Sequence, residues 1–423
     1  MIAMKNIDKF FVHLILLLQV NFFDVFNLTD SSISGWIGYG QKRVMLLVVI
    51  IYFLSWVVRK HNQTAIKYQF GLTAIAIIVA AFAVAVGTIY AYTQGLYVTA
   101  TESYYFIIVI LYFPLRNAVS RTKDLRYLIN MIGDYSIIYS STKIIQSFLL
   151  ARGHLVFHLN ATIDESTAYL FRYMVLGFTR IPSASDFVFW ASIFVLVVAW
   201  SMPKLLSQKR VFIYLVTGFS YLVLVGQTRG YILILSGVIG IFAILLVHKH
   251  LGNIFTGMLI VVFSYPMTIY LINKVNDLLF SNADRANSIS VRFLEAQYYW
   301  DQAMLNKWFG IGFVSDKIQP AIVHGALYTY YIDDIGIVGV LGQLGIIGVI
   351  MCIIMVLQIV KVGIISQNKL SYWILFGSVL ACFTTVSLFD AQRVFFLPAC
   401  LVIFDFISTY EPLKGDFREA AIL

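Results

Sequence analysis

Charged residues are scarce in this sequence. Asp, Glu, Lys and Arg together make up 12% of its 423 residues, about half the share of an ordinary soluble chain. So little charge excludes a soluble globular protein of this length. Cysteine is nearly absent. Cys352, Cys382 and Cys400 all fall inside apolar runs and read as small buried hydrophobes, which excludes a disulfide framework or a cysteine metal site. No Walker-type glycine-rich loop occurs, so no nucleotide-driven step is visible. No long polar segment exists from which a separate soluble domain could fold, and no internal repeat or low-complexity tract stands out.

Apolar residues fill the space that charge leaves. They make up 60% of the chain, and the mean hydropathy is +0.84. Stretches of roughly 20 apolar residues recur from end to end, the length that crosses a bilayer core. The pattern predicts an all-α polytopic membrane protein, a single integral membrane domain over residues 1–423. About twelve spans are expected, near 10–23, 44–58, 70–90, 104–115, 127–150, 187–202, 211–226, 230–247, 251–273, 335–359, 370–389 and 394–409. Lys5 and Lys9 precede the first apolar run, and no small-residue cleavage site follows it, so the first segment reads as an uncleaved anchor.

The basic residues set the expected orientation. With both termini inside, the inner segments hold seventeen of the 30 Lys and Arg residues, among them Arg116, Arg121, Lys123 and Arg126. The short outer loops then hold four: Lys42, Arg43, Arg229 and Arg393. The opposite orientation would put the seventeen outside, against the positive-inside tendency. The formal charge of +9 therefore serves topology and anionic lipid headgroups, not nucleic acid. Two long outer loops are expected, near 151–186 and 274–334.

Candidate chemistry collects in those outer segments. Arg229 lies in "QTRGY", a tight turn between two spans, where a cation needs something to offset its cost. It either snorkels to lipid phosphate or meets an anion bound at the outer face, with Gly230 allowing close approach. Arg172 and Arg180 lie eight residues apart in "FRYMVLGFTRIPSASDFVFW". Their guanidinium forks match phosphate oxygens, and Asp186 is a candidate N-cap for the next span. The second loop contains "ISVRFLEAQYYWDQAML", predicted as an amphipathic helix capped by Ser288 or Ser290. On it Arg292 and Glu295 are spaced to pair. "NKWFGIGF" follows, then His324 and the acidic pair Asp333–Asp334. A histidine there is placed to take a proton from a sugar hydroxyl. No Asp-x-Asp occurs in the outer loops and no Cys/His cluster has metal spacing. No metal or other cofactor is expected, and arginine would neutralise any phosphate charge. The fifth span carries Asp134 and Lys143, which either shape a polar groove or pair with polar neighbours.

Four stretches, taken in order, resemble the O-antigen polymerase and O-antigen ligase superfamily: "FRYMVLGFTRIPSASDFVFWAS", "QTRGY", "RFLEAQYYWDQAMLNKWFGIGF" and "VHGALYTYYIDDIGIVGVLGQLGIIG". The likeness covers about residues 165 to 350. Gly325 stands where family ligases often have Asn, which tilts the reading toward polymerase. The resemblance implies a GT-C-like fold in the bacterial inner membrane and an undecaprenyl-diphosphate-linked glycan as donor. It also implies membrane lipid, a chain-length regulator and a flippase as partners. Arg229, with Arg172, Arg180 and Arg292, would hold the diphosphate, and His324 would deprotonate the acceptor. Glu295, Asp333 and Asp334 would be substitute bases. A ligase passing finished glycan to a lipid or protein is the alternative within the family. A secondary transporter or flippase, with Asp134 and Lys143 as coupling residues, is the alternative outside it.

Overall fold

The computed structural model describes residues 4–20, 22, 41–60, 67–154, 174–181, 185–246, 283–326, 330–384, 388–389 and 393–410. Within them the chain is predominantly helical: α1 (Asn6–Gln19), α2 (Gln41–Lys60), α3 (Gly71–Tyr92), α4 (Leu96–Ala118, with a 3₁₀ centre), α5 (Thr122–Leu150), α6 (Ser185–Ser201), α7 (Gln208–Gly226), α8 (Arg229–Leu246), α9 (Ala283–Leu305), the short α10 (Pro320–His324), α11 (Ile337–Ile365), α12 (Lys369–Cys382) and α13 (Val394–Thr409). A two-stranded hairpin, β1 (Met174–Val175) and β2 (Phe178–Thr179), precedes α6. The expected span at 251–273 and Arg172 lie outside the described residues.

Among the described residues five helices, α3, α4, α7, α8 and α11, are long and apolar enough to cross a bilayer, consistent with an all-α membrane protein. α6, α12 and α13 are apolar but shorter. α5 has 29 residues, yet is too polar along its length to match them. In α3 the reason for a membrane environment is visible residue by residue. Ala74, Ile77, Ala81 and Val84 are buried, while Leu72, Ile75, Val79, Phe82 and Val86 form an exposed stripe on the other side. A helix that is apolar on both faces suits lipid on one and protein on the other.

Most of the helices pack around one extended apolar core, and Tyr299, Ile311 and Ile335 form a second, smaller cluster. α1 lies on α2, α5 on α6 and α7, α6 on α12, and both α3 and α9 lie on α11. One end of the bundle is pinned by a buried ion. The Asp405 carboxylate, fully buried, sits 3.0 Å from Arg116 Nε. It accepts hydrogen bonds from Tyr112 Oη at 2.5 Å and from the Gln69 amide at 3.0 Å. A charge at this depth is tolerated because several groups share it.

α11 is broken at Gly345, whose φ of 60° and ψ of −152° are not helical. The break strands four backbone groups, and the "NKWFGIGF" segment takes all of them. Ile346 N donates to Lys307 O at 2.8 Å and Ile347 N to Trp308 O at 3.3 Å. In return Ile311 N donates to Gly342 O and Gly312 N to Gln343 O, both at 2.8 Å. Buried backbone groups need such partners. The same stretch of chain is fastened to α3 and to the turn that follows it. Thr88 Oγ1 accepts from Phe313 N at 2.9 Å, and Gln94 donates to Phe313 O at 3.0 Å while accepting from Ser315 N at 3.2 Å. A Cβ at position 345 would lie 2.6 Å from Gly310 N, and one at position 310 only 2.2 Å from Gly342 O.

Two local expectations are corrected. α9 spans Ala283–Leu305, so Ser288 and Ser290 lie inside it and not at its N-cap; the helix continues upstream of the apolar pattern that suggested its start. Asp186 is the second residue of α6, in its first turn, and its side chain is used elsewhere, as described below.

Gly345→Ala should lower the melting temperature of the detergent-solubilised chain markedly. The backbone cost alone is about 1–3 kcal/mol, before the steric clash with the loop. Gly240→Ala in α8, where a Cβ meets nothing within 4 Å, should stay within about 1 kcal/mol of the parent.

Candidate functional site

The end of the bundle away from Asp405 gathers most of the sequence-predicted residues. α9 supports His324 there. Tyr298 Oη donates to Ala321 O at 2.9 Å and Ile322 O at 3.0 Å, and Tyr299 Oη donates to Val323 O at 2.5 Å. Three carbonyls of the single-turn α10 are thus held by two tyrosines. Burial, followed by the neighbouring Tyr298, Glu295 and Asp333, pushes the Tyr299 phenol well above the usual tyrosine range. It therefore remains a donor throughout the physiological range.

His324 ends α10 and is half-buried. The loop after it closes on two opposed bonds: Tyr330 N donates to His324 O at 3.1 Å, and His324 Nδ1 lies 2.9 Å from Tyr330 O. A carbonyl can only accept, so Nδ1 carries the proton. In the neutral imidazole the lone pair is then on Nε2. The Tyr331 ring packs edge-on against the imidazole, with centroids 5.5 Å apart. Glu295, only 3% exposed, accepts from Tyr331 N at 3.2 Å.

The predicted pairing of Arg292 with Glu295 is absent. Arg292 is exposed on α9 while Glu295 is buried. The carboxylate turns toward a backbone amide 36 residues away, a stronger need in a buried place than a surface ion pair. Arg292 is thus left exposed rather than paired with Glu295. Asp333 is half-buried and lends its carbonyl to the site; the Asp334 side chain lies outside the described set.

A second set of cations is tied to the end of α7 by sequence and by packing. Its last turn, Leu222–Gly226, is π-helical, a widening common at functional sites. Gln227 follows in the left-handed conformation with φ 48° and donates its amide to Leu222 O at 2.8 Å. Val225 O accepts from Ile181 N at 3.4 Å, which brings Arg180 to one side of this turn. Arg229 opens α8 just past this turn. α5 adds Lys143, 2% exposed, with its ammonium 5.6 Å from the centre of the Tyr139 ring. Tyr139 packs on Tyr221, the residue before the π turn. One turn further along α5, Ser147 Oγ donates to Thr179 O at 2.6 Å and anchors the hairpin. The hairpin turns through Leu176 and Gly177, both with positive φ, as a two-residue primed turn requires.

Three residues absent from the sequence-derived site join these groups. Arg393 Nε lies 3.3 Å from Asp186 Oδ1 and 3.2 Å from Tyr231 Oη. Its Nη1 donates to Asp333 O at 2.9 Å, and Tyr231 also donates to Asp186. Ser185, beside Asp186, lies directly over Gly226 of the π turn. α6 therefore touches the cation group through one residue and the His324 side through the next. A signal for Arg393 existed in the sequence, an arginine in a short outer loop, but it matched that of Lys42 and Arg43.

Tyr299→Phe should leave Val323 O without its buried donor and cost about 1–3 kcal/mol. Limited proteolysis checks this: cleavage within residues 320–334 should quicken, while cleavage elsewhere keeps its rate.

No family model, no curated protein and no solved structure matches this chain.

Proposed function

We propose that the protein is a membrane-embedded glycosyltransferase that joins lipid-diphosphate-linked oligosaccharide units into a polysaccharide at the outer face of the bacterial inner membrane. The orientation expected from the basic residues, with twelve spans and both termini inside, supports this reading, since it assigns Arg229 and Arg393 to outer loops. The observation that carries the reading is His324, a histidine whose Nδ1 is occupied by a carbonyl and whose Nε2 is left basic. It is linked through Arg393 and Asp186 to a turn flanked by Arg180 and Arg229.

In this reading an acceptor hydroxyl gives its proton to His324 Nε2 as its oxygen attacks the donor's anomeric carbon. The bond from that carbon to the diphosphate breaks, and the lipid diphosphate leaves with the bonding electrons. Arg229 and Arg180 stabilise the charge that builds on it. Glu295, committed to Tyr331 N, supports the loop and is not the base. Arg292, exposed on α9, takes no part in this step.

The same geometry would serve a ligase, which differs only in its acceptor. A transporter has one structural point in its favour, since broken helices form many ion sites. The break at Gly345, however, is closed by loop amides on the carbonyls of Gly342 and Gln343, which makes it a packed joint between α11 and the loop.

Purified protein supplied with lipid-linked repeat units should build a ladder of longer glycans. A single transfer to a lipid or protein acceptor would instead indicate the ligase, and uptake or flipping without extension the transporter. Arg229→Ala should reduce kcat about 10²–10³-fold, and Arg229→Lys should recover little of it because lysine lacks the fork. His324→Ala should cost about 10²–10⁴-fold. Near-parent rates in both alanine variants would refute the assignment.

A further inference from the structure

We propose that Arg393 is a positioning residue: its guanidinium, fixed by Asp186 and Tyr231, holds the Asp333 carbonyl and so sets the segment that orients His324. Residues 330–333 are gripped at three points by three separate elements. His324 Nδ1 takes Tyr330 O, Glu295 takes Tyr331 N, and Arg393 Nη1 takes Asp333 O. The first two grips come from the neighbourhood of the site itself. The third comes from the connection between α12 and α13.

That connection holds the segment twice. Just past Arg393's point of contact, Ile337 N donates to Phe383 O at 2.9 Å, at the end of α12. The path from Tyr330 to Ile337 is thus fixed from outside before it enters α11. Loosening it at Asp333 would free the Tyr330 carbonyl, three residues earlier, which sets the tautomer and tilt of the His324 imidazole.

The residue type fits the task. Nε serves a carboxylate and a phenol while Nη1 serves a carbonyl, and only a planar fork spans three partners in this way. Arg393 is 9% exposed, so its charge needs the nearby Asp186. Asp186 in turn sits in the first turn of α6, where the helix dipole favours an anion. Arg393 needs no contact with substrate for this role. Because Ser185 lies over the π turn, the same node ties the place where the diphosphate would bind to the place where the base stands. That last link rests on the function proposed above; the clamp itself does not.

Two readouts on the full-length chain in nanodiscs test the proposal. The first needs no substrate. Ile335, 7% exposed, is replaced by cysteine as a reporter, the three native cysteines being buried. Maleimide labelling of Ile335→Cys should rise about tenfold when Arg393→Met is added, and a few-fold with Tyr231→Phe, as local opening becomes easier. Arg393→Lys should stay closer to Arg393→Met than to the parent. The second readout is glycan extension. Arg393→Met should lower kcat about tenfold while the donor KM stays within about twofold, the mark of a group that orients rather than binds. Unchanged labelling in both Arg393→Met and Tyr231→Phe would overturn the clamp. A raised donor KM at constant kcat would overturn it too, by making Arg393 a binding group. If Arg393→Met gives no monodisperse protein, Tyr231→Phe alone decides. If no variant or parent extends glycan, the proposed function fails while the labelling still judges the clamp.

Discussion

The structure depends on the way the 307–312 backbone is stitched into the break of α11. Four hydrogen bonds replace those that Gly345 removes, so the helix is interrupted without leaving a polar group unpaired in an apolar setting. The consequence reaches far beyond the break. α9 enters this loop and α10 leaves it, so the direction of both is fixed where the loop is fixed. The tyrosines of α9 then hold α10, and α10 presents His324. A flexible loop of the same length would place an imidazole near the site; this one is locked to two helices and places it in one orientation.

Buried charge is handled alike at both ends of the bundle. At one end Asp405 is shared among Arg116, Tyr112 and the Gln69 amide. At the other Arg393 is shared among Asp186, Tyr231 and the Asp333 carbonyl. A lone ion pair in this setting returns little beyond its desolvation cost. Additional hydrogen bonds turn each pair into a node joining three or four elements. The first node is remote from His324 and reads as structural. The second lies between a histidine and a group of cations, and there the same device also sets geometry.

Much of the helical architecture was legible from hydropathy. The apolar segments near 70–90, 211–226, 230–247 and 335–359 are helices of spanning length, because a run of apolar residues determines helix and environment locally. The glycine pair of "NKWFGIGF" and the glycines of α11 were visible as motifs, but not that each exists for the other. The hairpin at 174–179 went unread: two residues per strand are too few for a period of two to show. Glu295 pairs elsewhere than its helical spacing suggests, for a clear reason. The rule available in sequence pairs residues three or four apart on a helix, whereas the group it satisfies belongs to Tyr331.

The sequence by itself decided that this chain lives in a membrane, where its apolar helices run, and which residue types were left over for chemistry. These are local properties, set by side-chain transfer free energies and the helical period. Only the tertiary structure decided which of those residues meet. Arg393 and Asp186 are 207 positions apart and Arg393 and Tyr231 are 162 apart. Their approach is settled by how separate helices pack, and no neighbouring residue carries a record of it. The same holds for His324, whose basic nitrogen is chosen by the carbonyl that the fold sets against the other one.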